Sequence, residues 1–288
     1  MIHPATKLRE LLRRDKALIA PGAYGVMPAK LAERAGFEAV YMPGGGAAMN
    51  MLGTADVGVI TMSEMVANAR VIAQSITVPI IADADSGFGS LLNIQRTVRE
   101  YESAGVAAIH VEDQAFPKRC GFFSGKVILP LEEAAQKIRA AVAARTHPDF
   151  MIIARCDALS VEGMEQVVRR CAAYRKAGAD MLFVEAGGSI QEFEEIPKII
   201  PGDHVFNMSA SGKVPVVAAD EVGRLGYKLM ILPNFATLAT IKAVKQVYEG
   251  IAKDGSIRNV QYLCARFSEF TDLGDLDAFE AVEERFSV

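Results

Sequence analysis

Eight short apolar runs, separated by longer stretches, constrain the fold of this chain more than any other feature. They are Ala17-Leu18-Ile19-Ala20, Ala39-Val40-Tyr41-Met42, Pro79-Ile80-Ile81-Ala82, Ala107-Ala108-Ile109-His110-Val111, Met151-Ile152-Ile153-Ala154, Met181-Leu182-Phe183-Val184, His204-Val205-Phe206-Asn207 and Leu229-Met230-Ile231-Leu232. Runs that are apolar almost throughout read as strands buried on both faces of a parallel sheet. Helical spacing marks Leu91 to Ala104, Leu131 to Ala144 and Val161 to Ala177 between them. Three helices stop at Ala-Gly pairs (Ala35-Gly36, Ala104-Gly105, Ala177-Gly178), where glycine takes the left-handed position. The alternation predicts an α/β (β/α)8 TIM barrel over residues 1–255. Residues 256–288 lose the rhythm and read as a C-terminal helical extension, with Val260 to Phe267 and Leu276 to Phe286 as its pieces. An open doubly wound sheet is the other arrangement considered. No Gly-x-Gly-x-x-Gly follows the first strand to support it as a dinucleotide binder.

Composition removes several function classes. A net charge of -4 over 288 residues gives no basic footprint for nucleic acid. No apolar run is long enough to span a bilayer. Four separated cysteines (Cys120, Cys156, Cys171, Cys264) lack metal-ligand spacing and fit a reducing compartment. With no signal-peptide pattern at the N-terminus, a cytoplasmic protein is expected.

In a barrel of this class the chemistry lies at the C-terminal ends of the strands. Those ends supply Tyr41 and Gly44-Gly45-Gly46, Asp83 and Asp85, His110 and Glu112, Arg155, Glu185, Asn207 and Ser209, and Asn234. Asp83 and Asp85 are two apart, as are His110 and Glu112, so on an extended chain each pair faces one way. Carboxylates that converge repel unless a cation lies between them. Hard oxygen donors with room for water suit Mg²⁺, or Mn²⁺, better than Zn²⁺. Asp83, Asp85 and Glu112 are the metal candidates. The glycine run offers backbone N–H groups to a carboxylate or enolate oxygen, or simply turns into the next helix. Arg155 can grip a carboxylate with two bonds, or pair with Glu185 and brace the rim. Arg169 and Arg170 read as solvated surface.

The segment Phe116 to Lys126 contains Lys118-Arg119-Cys120-Gly121. A thiol between two cations and two glycines suggests a mobile catalytic loop, in which Lys118 and Arg119 favour the thiolate. A basic surface loop with an incidental cysteine is the plain alternative.

Together these residues resemble the isocitrate lyase/phosphoenolpyruvate mutase superfamily over roughly residues 5 to 255. The matching pieces are Pro21-Gly22-Ala23-Tyr24, the glycines at 44–46, Asp83 to Gly89, His110 to Gln114, Lys118 to Gly121, Ile153 to Ala158, Phe183 to Ala186, and Asn207. The branch most resembled holds methylisocitrate lyase and dimethylmalate lyase. The resemblance implies Mg²⁺, a small oxo or hydroxy carboxylate, and a homotetramer in which dimer partners exchange the eighth helix. It also implies carbon–carbon cleavage of a 2-hydroxy or 2-oxo acid. Cys120 is then the general acid, supported by Lys118, Arg119 and Tyr41. Gly44, Gly45, His110, Phe122, Arg155, Glu185 and Asn207 line the substrate.

Some positions depart from the family pattern. Phe122 stands where lyases usually have histidine, Pro43 where they have serine, and Gly25 where Asp is common. Cys156 replaces the threonine of Arg-Thr-Asp, and Ser209-Ala210-Ser211 replaces a glutamate. Phe122 and Pro43 each remove a polar group near the substrate. The expected substrate therefore has fewer charges than methylisocitrate and an apolar distal end, as in an alkyl-substituted malate. The competing functions are an oxaloacetate decarboxylase or hydrolase, a phosphonopyruvate-type enzyme, and a non-catalytic metabolite binder.

Overall fold

The computed structural model describes residues 2–186 and 188–287. Eight strands appear where the apolar runs predict them: β1 (Leu18–Pro21), β2 (Val40–Met42), β3 (Ile80–Asp83), β4 (Ala108–Glu112), β5 (Met151–Cys156), β6 (Met181–Val184), β7 (Val205–Asn207) and β8 (Leu229–Leu232). All pairings are parallel. They run β2-β3-β4-β5-β6 in one ladder and β1-β8-β7 in the other. Single bridges from Gly22 to Tyr41 and from Leu182 to His204 join the two ladders, so the strands close in chain order into a barrel. Every residue of β2 through β7 is buried. That is why these runs carry almost no polar residues until their last positions.

The register sets the site. Asp83 pairs with His110, and Glu112 with Arg155, on neighbouring strands. Paired residues of parallel strands lie side by side, so the polar strand ends meet at one mouth of the barrel. The helix Leu131–Ala144 spans the range its spacing predicts. The range Val161 to Ala177 instead divides at Gly163 into Leu159–Glu162 and Met164–Lys176. Gly36, Gly105 and Gly178 all have positive φ, as helix stops require.

The chain forms two compact units, Met1–Phe235 and Ala236–Val288. The first holds the whole barrel sheet. The second holds nearly all of the helix after β8 (Phe235–Asp254), a short 3₁₀ turn (Gln261–Leu263), and the helices Phe267–Leu273 and Leu276–Phe286. The second unit thus begins 20 residues before the expected extension and takes the eighth helix with it. No described helix is long and apolar enough to cross a membrane.

Candidate active site

Asp83 ends β3 and lies buried under a ring of donors. Its Oδ1 accepts the Asp85 N–H at 2.9 Å, and its Oδ2 accepts the Gly44 N–H at 3.2 Å. The extended-chain reason for pairing Asp83 with Asp85 does not hold, because β3 ends at Asp83 and Asp85 has φ +45°. A left-handed aspartate, rare outside functional turns, brings the second carboxyl back beside the first. Burial pushes the Asp83 carboxyl up, but His110, Lys118 and Arg155 outweigh it and hold it at about 2. Burial dominates at Asp85 and raises it to about 7, against the pull of Lys118. Burial also holds Glu112 well above the usual carboxylate range.

The glycine run is neither loop nor isolated turn. It opens the helix Gly44–Leu52, with Pro43 as N-cap. First-turn N–H groups lack acceptors inside a helix, and that of Gly44 points at Asp83. His110 reaches Tyr41, with 2.7 Å between Nε2 and the phenol oxygen. Burial lowers His110 to about 4, so its ring is neutral at pH 7. Burial raises the Tyr41 phenol well above its ordinary value, so this pair is a neutral hydrogen-bonding unit.

Lys118 is buried, and its ammonium bridges Asp56 Oδ1 at 2.5 Å and Asp85 Oδ1 at 2.7 Å. Burial alone would lower its pKa, but the carboxylates around it, Asp85 foremost, hold it charged. Asp56 escaped the sequence reading because it lies in an irregular loop, away from any strand end. A salt-bridge partner for Lys118 was the one available signal.

The Arg155 fork is used differently from the expectation. Its Nε and Nη2 edge is given to Asp157, at 2.8 and 3.0 Å, so the double grip goes to a protein carboxylate. Nη2 also lies 3.1 Å from Glu185 Oε2, and Asn207 Nδ2 donates to Glu185 at 3.1 Å. Burial raises Glu185 to about 7, against the pull of Arg155. Arg170 is not surface: it is buried and pairs with Glu162 at 2.7 Å, with its Nη1 3.5 Å from Asp113.

The segment 116–126 folds down over this mouth. The Cys120 N–H donates to the Asp56 carbonyl at 3.1 Å, and Gln114 clamps the Arg119 backbone with two 2.9 Å bonds. The expected thiolate is not favoured. Lys118 is committed to Asp56 and Asp85, and Arg119 turns its guanidinium to the Ser124 carbonyl. Burial raises the Cys120 thiol, so it stays protonated. Gly125 has φ +77°, as a flexible loop allows, whereas Gly121 serves by close approach. A Cβ at Gly121 would stand 2.5 Å from Arg155 Nη2 and 2.6 Å from Glu185 Cγ. Phe122 is half-buried and packs on the core.

The donor set fits a hard cation. Asp85 Oδ1 and both Glu112 oxygens are buried without a hydrogen-bond partner. The Lys118 ion pair at Asp85 and an Arg155 contact at 3.6 Å from Glu112 are their nearest compensation. Unpaired buried carboxylate oxygens are costly, and a divalent cation satisfies them. Among the described residues, no three His, Cys, Asp or Glu side chains are grouped as direct ligands.

The sequence profile of the phosphoenolpyruvate phosphomutase family matches residues 8–252. The chain belongs to the phosphoenolpyruvate mutase/isocitrate lyase family. It is 43% identical over 286 residues to 2,3-dimethylmalate lyase of Eubacterium barkeri, covering 99% of each chain. It is 42% identical to 2-methylisocitrate lyase of Aeropyrum pernix, over 94% of this chain and 87% of that one. The crystal structure of phosphonopyruvate hydrolase with oxalate and Mg²⁺ superposes with TM-score 0.89 at 32% identity, covering 99% of both chains. The chain is an enzyme on the carbon–carbon lyase side of this family.

Proposed function

We propose that this enzyme cleaves an alkyl-substituted malate, with Cys120 as general acid and a Mg²⁺-type cation at Asp85. The observation that carries this reading is the geometry: the segment bearing Cys120 closes over the buried acids, and burial pushes its thiol pKa up. Asp85 would hold the cation, with Asp83 and Glu112 joining through water. Bound there, such a cation would supply positive charge to the substrate oxygens.

The remaining work belongs to the chain. Asp157 aims Arg155, so that the Nη1 end of its fork faces a substrate carboxylate. The Gly44 N–H is given to Asp83, so the first-turn amide of Gly45 is the one left to add its dipole to a substrate oxygen. As the C2 hydroxyl passes its proton to a buried carboxylate of the mouth and becomes a carbonyl, the C2–C3 bond breaks and its electron pair stays on C3. Cys120 Sγ–H protonates C3, and the departing acid leaves. The Phe122 N–H and the Arg155 charge, which pull the Cys120 pKa down against burial, steady the thiolate so formed. Closure of 116–126 keeps water from quenching C3.

Identity alone does not choose the substrate, because dimethylmalate and methylisocitrate lyases match almost equally. Phe122 and Pro43 favour the substrate with fewer charges. The test is a metal-dependent lyase assay across alkyl-substituted malates and 2-methylisocitrate, read by product identity. Best turnover on the tricarboxylate overturns the substrate reading. Pyruvate plus CO₂, or oxalate plus acetate, from oxaloacetate as the preferred substrate overturns the lyase reading. In the same assay, Cys120→Ser loses about 10²- to 10⁴-fold in kcat while keeping metal affinity. Unchanged turnover removes Cys120 as the acid.

The helix Phe235–Asp254 has no buried residue. This supports the reading that partner subunits exchange it in a homotetramer.

A further inference from the structure

Two lysines that the chemistry above does not use hydrogen-bond the closed segment: Lys126, its last residue, which also reaches Asp157 outside it, and Lys213, which lies outside the segment. Lys126 Nζ donates to the Gly121 carbonyl at 2.7 Å, and it lies 3.3 Å from both the carbonyl and Oδ1 of Asp157. Its side chain is 3% exposed. Lys213 arrives from the segment after β7 and donates from Nζ to the Phe122 carbonyl at 2.9 Å. The two accepting carbonyls belong to the two residues that directly follow Cys120.

Apart from Phe122, which packs on the core, apolar contact on this side of the segment is thin. Both lysines border a cavity of about 540 Å³ between the segment and the helix Leu159–Glu162. Phe116 and Phe123 are 77% and 46% exposed, so they add little packing. Where apolar contact is thin, hydrogen bonds from charged donors are the main cohesive contacts. Lys126 has a second consequence. The Asp157 carboxylate it touches is the one that aims Arg155. One buried ammonium therefore ties the lid to the arginine.

We propose that Lys126 and Lys213 are positioning residues that latch the closed lid through the Gly121 and Phe122 carbonyls, and so fix where the Cys120 thiol sits. This rests on reading 116–126 as the catalytic lid. It assigns neither lysine a contact with the reacting atoms.

The four cysteines allow a test that needs no turnover. Iodoacetamide labelling of the metal- and substrate-free protein, resolved by mass at each cysteine, follows lid opening at Cys120. Cys156 and Cys171 are fully buried and report general loosening, and exposed Cys264 reports reagent activity. Loss of a charged hydrogen bond speeds Cys120 labelling by about tenfold or more in Lys126→Met, and by about threefold at the more exposed Lys213→Met. Lys213→Arg restores slow labelling, while Cys156 and Cys171 do not change. Where turnover is measurable, kcat falls in step with the gain in Cys120 labelling. Unchanged Cys120 labelling in Lys213→Met overturns the latch, as does a parallel rise at Cys156 and Cys171. If Lys126→Met does not fold, Lys213→Met decides alone, because among the described residues its side chain donates to a lid carbonyl, and its backbone bond to Ser211 survives the substitution. Absence of lyase activity with normal latch behaviour overturns the function and leaves the latch standing.

Discussion

At Cys120 the surroundings differ from those its sequence neighbours suggest. Neighbouring cations in sequence suggested a thiolate, but both point elsewhere, and burial favours the thiol. A general acid needs that proton. The thiolate is the form that alkylates, so a raised pKa moves reaction to higher pH. Labelling of Cys120 should rise through a midpoint above about 8.5, the ordinary thiol value, and be slow at pH 7. A midpoint below the ordinary value contradicts the acid role. Tyr41, His110, Asp83, Glu112, Arg155, Glu185 and Asn207 were legible because each stands at or beside a strand end. Asp56 and Arg170 were not, because their roles come from tertiary contacts with Lys118, Glu162 and Asp113 that no local spacing encodes. Phe122 carries the specificity argument. Phe122→His restores the polar group usual in the family, and should shift the kcat/KM ratio of tricarboxylate to alkylmalate upward by about tenfold or more. An unmoved ratio would place specificity elsewhere.

At the scale of elements, the sequence marked what periodicity can mark. Strand runs and the helix Leu131–Ala144 fall where their patterns place them, since burial on a sheet or one helix face leaves a direct trace. Breaks were harder. The Val161 to Ala177 pattern stays apolar across Gly163, although the backbone there turns to φ +81° and splits the helix. Likewise, the alternation of a strand cannot announce that Asp85 leaves it. The lid depends on a close approach that only glycine allows. Adding a Cβ at Gly121 drives into Arg155 and Glu185. Gly121→Ala should therefore keep the lid from seating and lower kcat by about 10²-fold, the usual scale for a misplacement of about 1 Å. Its melting temperature should stay near that of the parent, because the clash is confined to the closed lid. A normal kcat means that closure does not require this contact.

At the scale of the whole molecule, eight repeats of strand and helix left the barrel readable, while the end of the chain was only partly so. Residues after Ser256 lack strand rhythm, yet the break in compactness falls earlier, at Phe235. The reason is visible on the helix Phe235–Asp254. Leu238, Ile241, Val244 and Tyr248 recur at spacings of three and four residues, and each is at least 42% exposed. That spacing defines one apolar stripe on a helix. Burying each of these side chains against a second copy contributes about 1.5–3 kcal/mol. An exchanged helix therefore predicts an assembly well above the 31.0 kDa of one chain. Light scattering on the purified protein should give a tetramer. The double variant Ile241→Glu with Val244→Glu, which places charge in the stripe, should fall to smaller species. The barrel core lies in the other compact unit, so helical content should be largely retained. A parent protein that runs as a monomer, or a variant that remains tetrameric, rules out the exchanged helix as the basis of assembly.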